Sequence, residues 1–384
     1  MLDKSQIRNN KPRMKIAYFI GALNRGGLES LTLDICRMHG ETPYDFVCIY
    51  RHEGNMSEDF KKSGANLIHV PKKRGYLRYL WTLRREFIRE KVTIVHSQTP
   101  SNTLLLSLVL HGTGIKVVTT FHGHFDSTPW IIRKIVYSTS DSIICVSKHL
   151  KEYTEKEWHL PKRNKLQIVY NGIDFSKIDL AKPSLEFAGT PHRIRLAMVG
   201  NFVLGRSQHI IVKSIHILHQ QGVRDFDFYF IGKRAEQEAW RYDDCVHYCE
   251  EYNLNNVHFL GSRGDVPELL KMMDGFVYST EHDTFGIAVI EAIAAGLPIV
   301  VNDWPVMTEV CNLGLPETNS AIRFFKTDDV EDCANKMRDL IISIDSKRHQ
   351  LRQDCRLASI TVKQKYSIQS HIENLNKIYQ KTCL

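Results

Sequence analysis

Eleven short apolar runs, rich in β-branched and aromatic residues and mostly separated by helix-like segments, constrain this chain more than any other feature. In the first half they are KIAYFI (15–20), FVCIY (46–50), NLIHV (66–70), VTIVHS (92–97), IKVVTTF (115–121) and DSIICVS (141–147). The pattern restarts at RIRLAMVG (193–200) and continues through DFYFIG (227–232), NVHFLG (256–261), GFVYS (275–279) and LPIVVN (297–302). A strand that is apolar along its whole length has both faces covered, and alternation with helices makes the sheet parallel. AKPSLEFAGTPH (181–192), punctuated by Pro and Gly, reads as a linker between the halves. The expectation is an α/β protein of two doubly wound, Rossmann-like domains facing one another across a cleft. Ligands of such sheets bind beyond the carboxyl ends of the strands. The boundaries are a polar tail at 1–13, a first domain at 14–182, a linker at 183–192, a second domain at 193–366 and a last helix at 367–384. A length of 384 residues suits two to three domains of about 150 residues each.

With 43% hydrophobic and 24% charged residues the chain has a globular composition. No run reaches the ~18 uninterrupted apolar residues of a membrane span. The nearest, Phe285–Val301, contains Glu291 and a Gly-Leu-Pro break. The opening MLDKSQIRNNKPR has no apolar stretch, which argues against a signal peptide. Nine scattered cysteines complete no zinc pattern and read as reduced, buried thiols, so a cytoplasmic location is expected.

The net charge of +8 is uneven. Residues 1–190 hold 29 Lys and Arg against 18 Asp and Glu, whereas residues 191–384 hold 22 against 25. An excess of that kind suits a first half that meets something anionic. Its densest part is PKKRGYLRYLWTLRREFIREK (71–91), with Lys72, Lys73, Arg74, Arg78, Arg85 and Arg89. Leu77, Leu80, Trp81, Arg84, Phe87 and Ile88 recur there at helical spacing. The segment reads either as a helix for an anionic membrane surface or as a core-packing helix with a solvated basic face. No recognised nucleic-acid-binding module is present.

The stretch EHDTFGIAVIEAIAAGLPIV (281–300) carries three acids in apolar surroundings. A helix from about Phe285–Gly286 to Ala295, capped by Gly296, presents an N-terminus suited to an anion. Gly286 admits a close approach to the backbone. Glu291 is placed to accept from ribose hydroxyls and Asp283 to meet a sugar hydroxyl. The plainer alternative makes Asp283 or Thr284 an N-cap and Glu291 an exposed helix residue, although an unpaired buried carboxylate is costly.

This stretch resembles the acid-x7-Glu signature of retaining family-4 glycosyltransferases with the GT-B fold, with Asp283 where the family has Glu. GALNRGGLES (21–30), IVYNGID (168–174), MVGNFVLGRSQ (198–208) and LGSRGDVPELL (260–270) resemble four further family elements in order. The C-terminal helix from about Ser367 resembles the one that crosses back to the first domain in that fold. The resemblance implies a hexosyltransferase. It moves a sugar from a UDP- or GDP-sugar to a glycan or polyprenyl-linked acceptor, with retention, in surface polysaccharide or glycoconjugate biosynthesis. It further implies no cofactor beyond the nucleotide sugar, no metal, and peripheral placement at the inner membrane face.

The resemblance also carries residue roles. Arg206 takes the place of the family's diphosphate-binding Lys, and Asn201 stands where the family has Arg. The amides of Phe285, Gly286 and Ile287 meet the diphosphate, Glu291 the ribose, and Asp283, flanked by Thr284, the transferred sugar, with Glu281 as a possible partner in that role. His122 aligns with a histidine near the donor sugar, where His124 is its neighbour, and the base pocket falls near Phe259, Gly261 and Arg263. Gly26 and Gly27 let acceptor or phosphate approach the backbone, the alternative being a tight turn. His96 lines the acceptor side or is a satisfied core histidine. Glu309 matches a family Glu, preceded here by Trp304 and Pro305 in place of Gly-Gly. Two other functions share these features: a nucleotide-sugar epimerase of the same fold, and a degenerate protein that binds a nucleotide sugar without turnover.

Overall fold

The computed structural model describes residues 13–24, 26–72, 75–125, 127–159, 165–184 and 193–384. Most of the expected tail and linker, together with Lys73 and Arg74, lies outside the described residues. The chain divides into two compact units. One comprises Met1–Val146, Leu150–Gly172 and Ile368–Leu384; the other comprises Ser147–His149 and Ile173–Ser367.

The first unit is built on seven parallel strands: β1 (Lys15–Ala22), β2 (Asp45–His52), β3 (Leu67–His69), β4 (Ile94–Ser97), β5 (Lys116–Phe121), β6 (Ser142–Cys145) and β7 (Leu166–Ile168). Their order is β3-β2-β1-β4-β5-β6-β7, so the direction of winding reverses between β1 and β4. Alternation along β1 divides the core. Ile16, Tyr18 and Ile20 pack in one cluster with Phe46, Phe60 and Tyr379, and Ala17 and Phe19 in another with Tyr79, Leu83 and Phe87. The C-terminal helix Ile368–Cys383 belongs to this unit, where Ile368, Ile372, Leu375 and Tyr379 join the first cluster.

The second unit holds six parallel strands: β8 (Ile194–Val199), β9 (Phe226–Ile231), β10 (Val257–Phe259), β11 (Gly275–Tyr278), β12 (Ile299–Asn302) and β13 (Ile322–Phe325). The order β10-β9-β8-β11-β12-β13 reverses between β8 and β11. Every apolar run read from the sequence contributes a strand, and each unit is a Rossmann-like sheet with helices. Two strands carried no such run, β7 and β13. Both are short, and both lie at a sheet edge, where less of the side-chain surface is covered.

The basic segment forms the helix Tyr76–Arg89, rotated from the face suggested by its spacing. Tyr79, Leu83 and Phe87 are buried, while Leu77 is 81% exposed, Trp81 61% and Ile88 54%. Arg84 is tied to the protein, donating to the carbonyls of Val109 and His111 at 2.7 and 2.8 Å. All nine cysteines are free thiols, eight of them buried. Among the described residues no helix is long and apolar enough to cross a membrane.

Candidate active site

In the second unit Asn201, Arg206 and the loop of Asp283 lie where the strand order reverses, whereas Phe259, Gly261 and Arg263 lie at the end of the edge strand β10. Asn201 and Arg206 follow β8, and Thr280 to Gly286 follow β11. Two adjacent parallel strands whose connections leave in opposite directions open a crevice at their carboxyl ends. Arg206 and Asp283 form its centre. Arg206 Nη1 lies 2.6 Å from Asp283 Oδ1 and donates to Thr280 Oγ1 at 3.3 Å. The guanidinium stands 5.6 Å from the centre of the Tyr278 ring. Tyr278 donates its hydroxyl to Asp283 Oδ2 at 2.6 Å. Both carboxylate oxygens of Asp283 are therefore engaged within the protein, a use that its place before a helix did not suggest.

Burial works against the charge of Arg206, but Tyr278 and Asp283 outweigh it and raise the guanidinium pKa. Burial pushes the Tyr278 phenol well above its ordinary range, so it stays a neutral donor. Thr280 braces the arrangement: its Oγ1 donates to the Gly205 carbonyl at 2.7 Å and accepts from the Asp283 amide at 3.2 Å. Asn302, at the end of β12, accepts from the Thr280 amide and donates to the Thr280 carbonyl. Tyr278, Thr280 and Asn302 went unread in the sequence. Their signal was position alone, at or just past the carboxyl ends of β11 and β12.

The helix after this loop runs Ile287–Ala294, with Gly286 as its N-cap at φ 80°, ψ 51° and no side chain capping it. Neither Asp283 nor Thr284 is the N-cap. The first amides of such a helix carry partial positive charge and can receive an anion. A Cβ on Gly286 would stand 2.5 Å from Met307 Cε, and its φ is one that side-chain-bearing residues rarely adopt. Phe285 is buried, edge-on to Tyr366 at 5.5 Å between ring centres. Glu291 is half-buried within the helix. Glu281 is half-exposed, its amide donating to Gly205.

The remaining residues of this unit are partly committed. Asn201 is exposed, and its Oδ1 accepts from the Lys233 amide at 3.0 Å. Phe259 is half-buried and stacked on Phe230 at 5.3 Å. Gly261 has φ 66°, and its carbonyl accepts from Gly232. Arg263 grips Asp265 with two bonds of 2.9 and 2.8 Å. Trp304 donates from its indole to the Asp283 carbonyl at 3.3 Å. Glu309 accepts from the amides of Lys148 and His149, which belong to the second unit.

In the first unit, Gly26 precedes the helix Gly27–Arg37 in an extended conformation, so neither glycine is required there by a left-handed backbone. His122 follows β5, and its Nε2 lies 2.8 Å from Gln98 Oε1. Burial lowers its pKa to about 4, with His371 adding to the shift, so it is neutral near pH 7. His96 is a satisfied core histidine, its ring nitrogens 2.6 Å from Tyr379 Oη and from Thr120 Oγ1. His124 packs edge-on against Tyr153.

Two parallel, doubly wound sheets with helices, one in each unit, are the architecture of the GT-B fold. Residues 25–177 match the family described as Glycosyltransferase Family 4, and residues 193–343 match Glycosyl transferases group 1. The chain belongs to the family-4 glycosyltransferases of the GT-B fold. It is 25% identical over 323 residues to the UDP-Gal:alpha-D-GlcNAc-diphosphoundecaprenol alpha-1,3-galactosyltransferase of Escherichia coli, covering 77% of this chain and 81% of that one. Among solved structures it is similar to a glycosyltransferase from Rickettsia africae ESF-5, with TM-score 0.82, 17% identity and coverage of 97% and 99%. It is also similar to Anabaena Alr3699/HepE in complex with UDP and glucose, with TM-score 0.78, 15% identity and coverage of 96% and 99%.

Proposed function

We propose that the protein transfers a hexose or N-acetylhexosamine from a UDP- or GDP-sugar to a lipid-linked or glycan acceptor, with retention of configuration. The product belongs to surface polysaccharide or glycoconjugate biosynthesis. The observation that carries this reading is a paired but accessible arginine beside an uncapped helix N-terminus at a strand-order reversal. Bond breaking adds a further negative charge to the diphosphate, on the oxygen that leaves the sugar. Arg206 and the amides of Phe285, Gly286 and Ile287 stabilise that charge, which develops as the glycosidic bond lengthens. Asp283 acts through Arg206, holding the guanidinium in one orientation. Glu291 takes the ribose hydroxyls, the loop Phe259–Arg263 borders the base, and Asn201 and Thr284 complete the donor site. In front-face attack the leaving phosphate oxygen removes the acceptor's proton. A neutral His122, its Nε2–H given to Gln98 Oε1, can only accept from a sugar hydroxyl at its other ring nitrogen and does not act as the base.

Neutralisation by protein groups means that this reaction requires no metal or other cofactor. The E. coli relative named above bears a diphospholipid-linked acceptor in its name, and the Anabaena structure holds UDP and glucose. Both support a nucleotide-sugar donor, and the former supports a lipid-linked acceptor. Work at the cytoplasmic membrane face fits such an acceptor and the exposed Leu77, Trp81 and Ile88 beside basic residues.

The deciding experiment is a thermal-shift and hydrolysis screen of the full chain against UDP-, GDP- and ADP-sugars, with and without EDTA. One nucleotide family should stabilise the protein and release nucleotide slowly, unaffected by EDTA. Glu291→Ala should weaken binding of that nucleotide about tenfold, by loss of charge-assisted hydrogen bonds. If no nucleotide sugar binds, the reading fails; interconversion of the donor sugar without acceptor would make the protein an epimerase instead.

A further inference from the structure

Asp283 is fixed through its amide, its carbonyl and both carboxylate oxygens. The amide donates to Thr280 Oγ1 at 3.2 Å, and the carbonyl accepts from the Trp304 indole at 3.3 Å. Oδ1 lies 2.6 Å from Arg206 Nη1, and Oδ2 accepts from the Tyr278 hydroxyl at 2.6 Å. Tyr278 closes β11 and Asp283 stands five residues later, so the turn between them brings the carboxylate back to the phenol.

Arginine and carboxylate commonly meet through two parallel bonds, because the guanidinium fork matches both oxygens. Here the ion pair uses one nitrogen and one oxygen, and the same Nη1 donates to Thr280 Oγ1 at 3.3 Å. Among the described residues no hydrogen bond or ion pair engages Arg206 Nε or Nη2. The side chain is 24% exposed and borders a cavity of about 360 Å³. Nε and Nη2 form one edge of the fork, an edge able to meet two phosphate oxygens at once.

Tyr278 accounts for this single-bonded pair. With Oδ2 taken by the phenol, Oδ1 is the oxygen left for the arginine. The phenol is a durable partner: it is buried, burial keeps it protonated, and its ring stacks on Phe276 at 6.0 Å. Without the hydroxyl, Oδ2 of the buried Asp283 would lose its donor, which is costly. The guanidinium already bonded to Oδ1 holds spare donors. Turning to supply one closes the fork on Asp283 and takes Nη2 away from any ligand.

We infer that Tyr278 is a positioning residue: by occupying Asp283 Oδ2 it limits the ion pair to one bond and keeps Arg206 Nε and Nη2 open for the leaving diphosphate. Asp283 then sets the direction of the guanidinium without competing for its open edge. The rotamer freedom of the arginine is lost before the ligand arrives, so binding does not have to overcome it. The inference rests on the reading of this crevice as the nucleotide-sugar site.

The test titrates UDP, GDP and ADP into the full chain as wild type, Tyr278→Phe, Asp283→Asn and the double variant. Tyr278→Phe should weaken the diphosphate that the wild type prefers by about tenfold or more, through loss of charge-assisted bonds. In the Asp283→Asn background the same exchange should change affinity by less than about twofold, because a neutral amide does not draw the fork closed. Weakening of similar size in both backgrounds would make Tyr278 ordinary core support and overturn the inference. So would unchanged or tighter binding in Tyr278→Phe. In the wild type, the Arg206 guanidinium signals in nitrogen NMR, assigned through Arg206→Lys, should shift when that nucleotide binds. A missing shift also overturns the inference, and it decides the matter should Tyr278→Phe fail to fold. A wild-type protein that binds none of the three diphosphates would instead defeat the transferase reading.

Discussion

Gly286 shows how much a single residue contributes to the proposed donor site. It turns the chain from the Asp283 loop into the helix Ile287–Ala294 through a left-handed conformation, with Met307 Cε where a Cβ would stand. Gly286→Ala is expected to destabilise the protein by about 1–3 kcal/mol, from backbone strain and the steric overlap. It should also weaken nucleotide binding, because the amides proposed to meet the diphosphate shift with the turn. Urea unfolding and nucleotide titration check both. An unchanged unfolding midpoint would mean that Met307 and the turn yield at no cost. At this scale the turning glycine and the helix that follows it were legible, because few residue types suit such a turn. The engagement of Asp283 was not legible. Its partners Arg206 and Tyr278 lie on different segments, and no local pattern reports which hydroxyl reaches a carboxylate.

The helix Tyr76–Arg89 separates two roles that one sequence pattern left open. Its periodicity announced a helix but mixed the two apolar faces, since Phe87 is buried while Leu77, Trp81 and Ile88 are exposed. Leu83→Ala should cost about 2–5 kcal/mol in urea unfolding, because Leu83 is fully buried in the core. Leu77→Ser with Trp81→Ser should leave stability within about 0.5 kcal/mol per site. The same pair should markedly reduce sedimentation of the protein with vesicles containing anionic lipid. Equal vesicle binding in the doubly substituted protein would return this face to ordinary solvated surface. The buried face was hidden because Tyr79 and Leu83 can be recognised as inward only once β1 and β2 are in place against them.

At the scale of the whole molecule, the first unit has buried histidines that must stay neutral. Burial lowers His371 to about 4, its Nδ1 being held 2.6 Å from the Tyr170 carbonyl, and lowers His96 well below the ordinary value. In the unfolded chain a histidine binds its proton near pH 6.5. The unfolded state thus takes up protons first as the pH falls. Stability is full above about pH 6.5 and is lost progressively toward pH 4. For His371 alone the loss between pH 7 and pH 5 is about 2 kcal/mol, readable in urea unfolding at the two pH values. His371→Gln should remove its share of that dependence and leave the part due to His96 and His122. An unchanged unfolding curve from pH 7 to pH 5 would show that the ring is not buried neutral. The sequence by itself determined the two parallel sheets, the family and the residues around the helix N-terminus at 286–287. Each of these follows from local periodicity or from residue types at short spacing. Only the tertiary structure decided that Asp283 is spent on Arg206 and Tyr278 and that Leu77 and Trp81 face outward. Those outcomes depend on which strand ends the sheet order brings side by side, and distance in space is not a property of spacing along the chain.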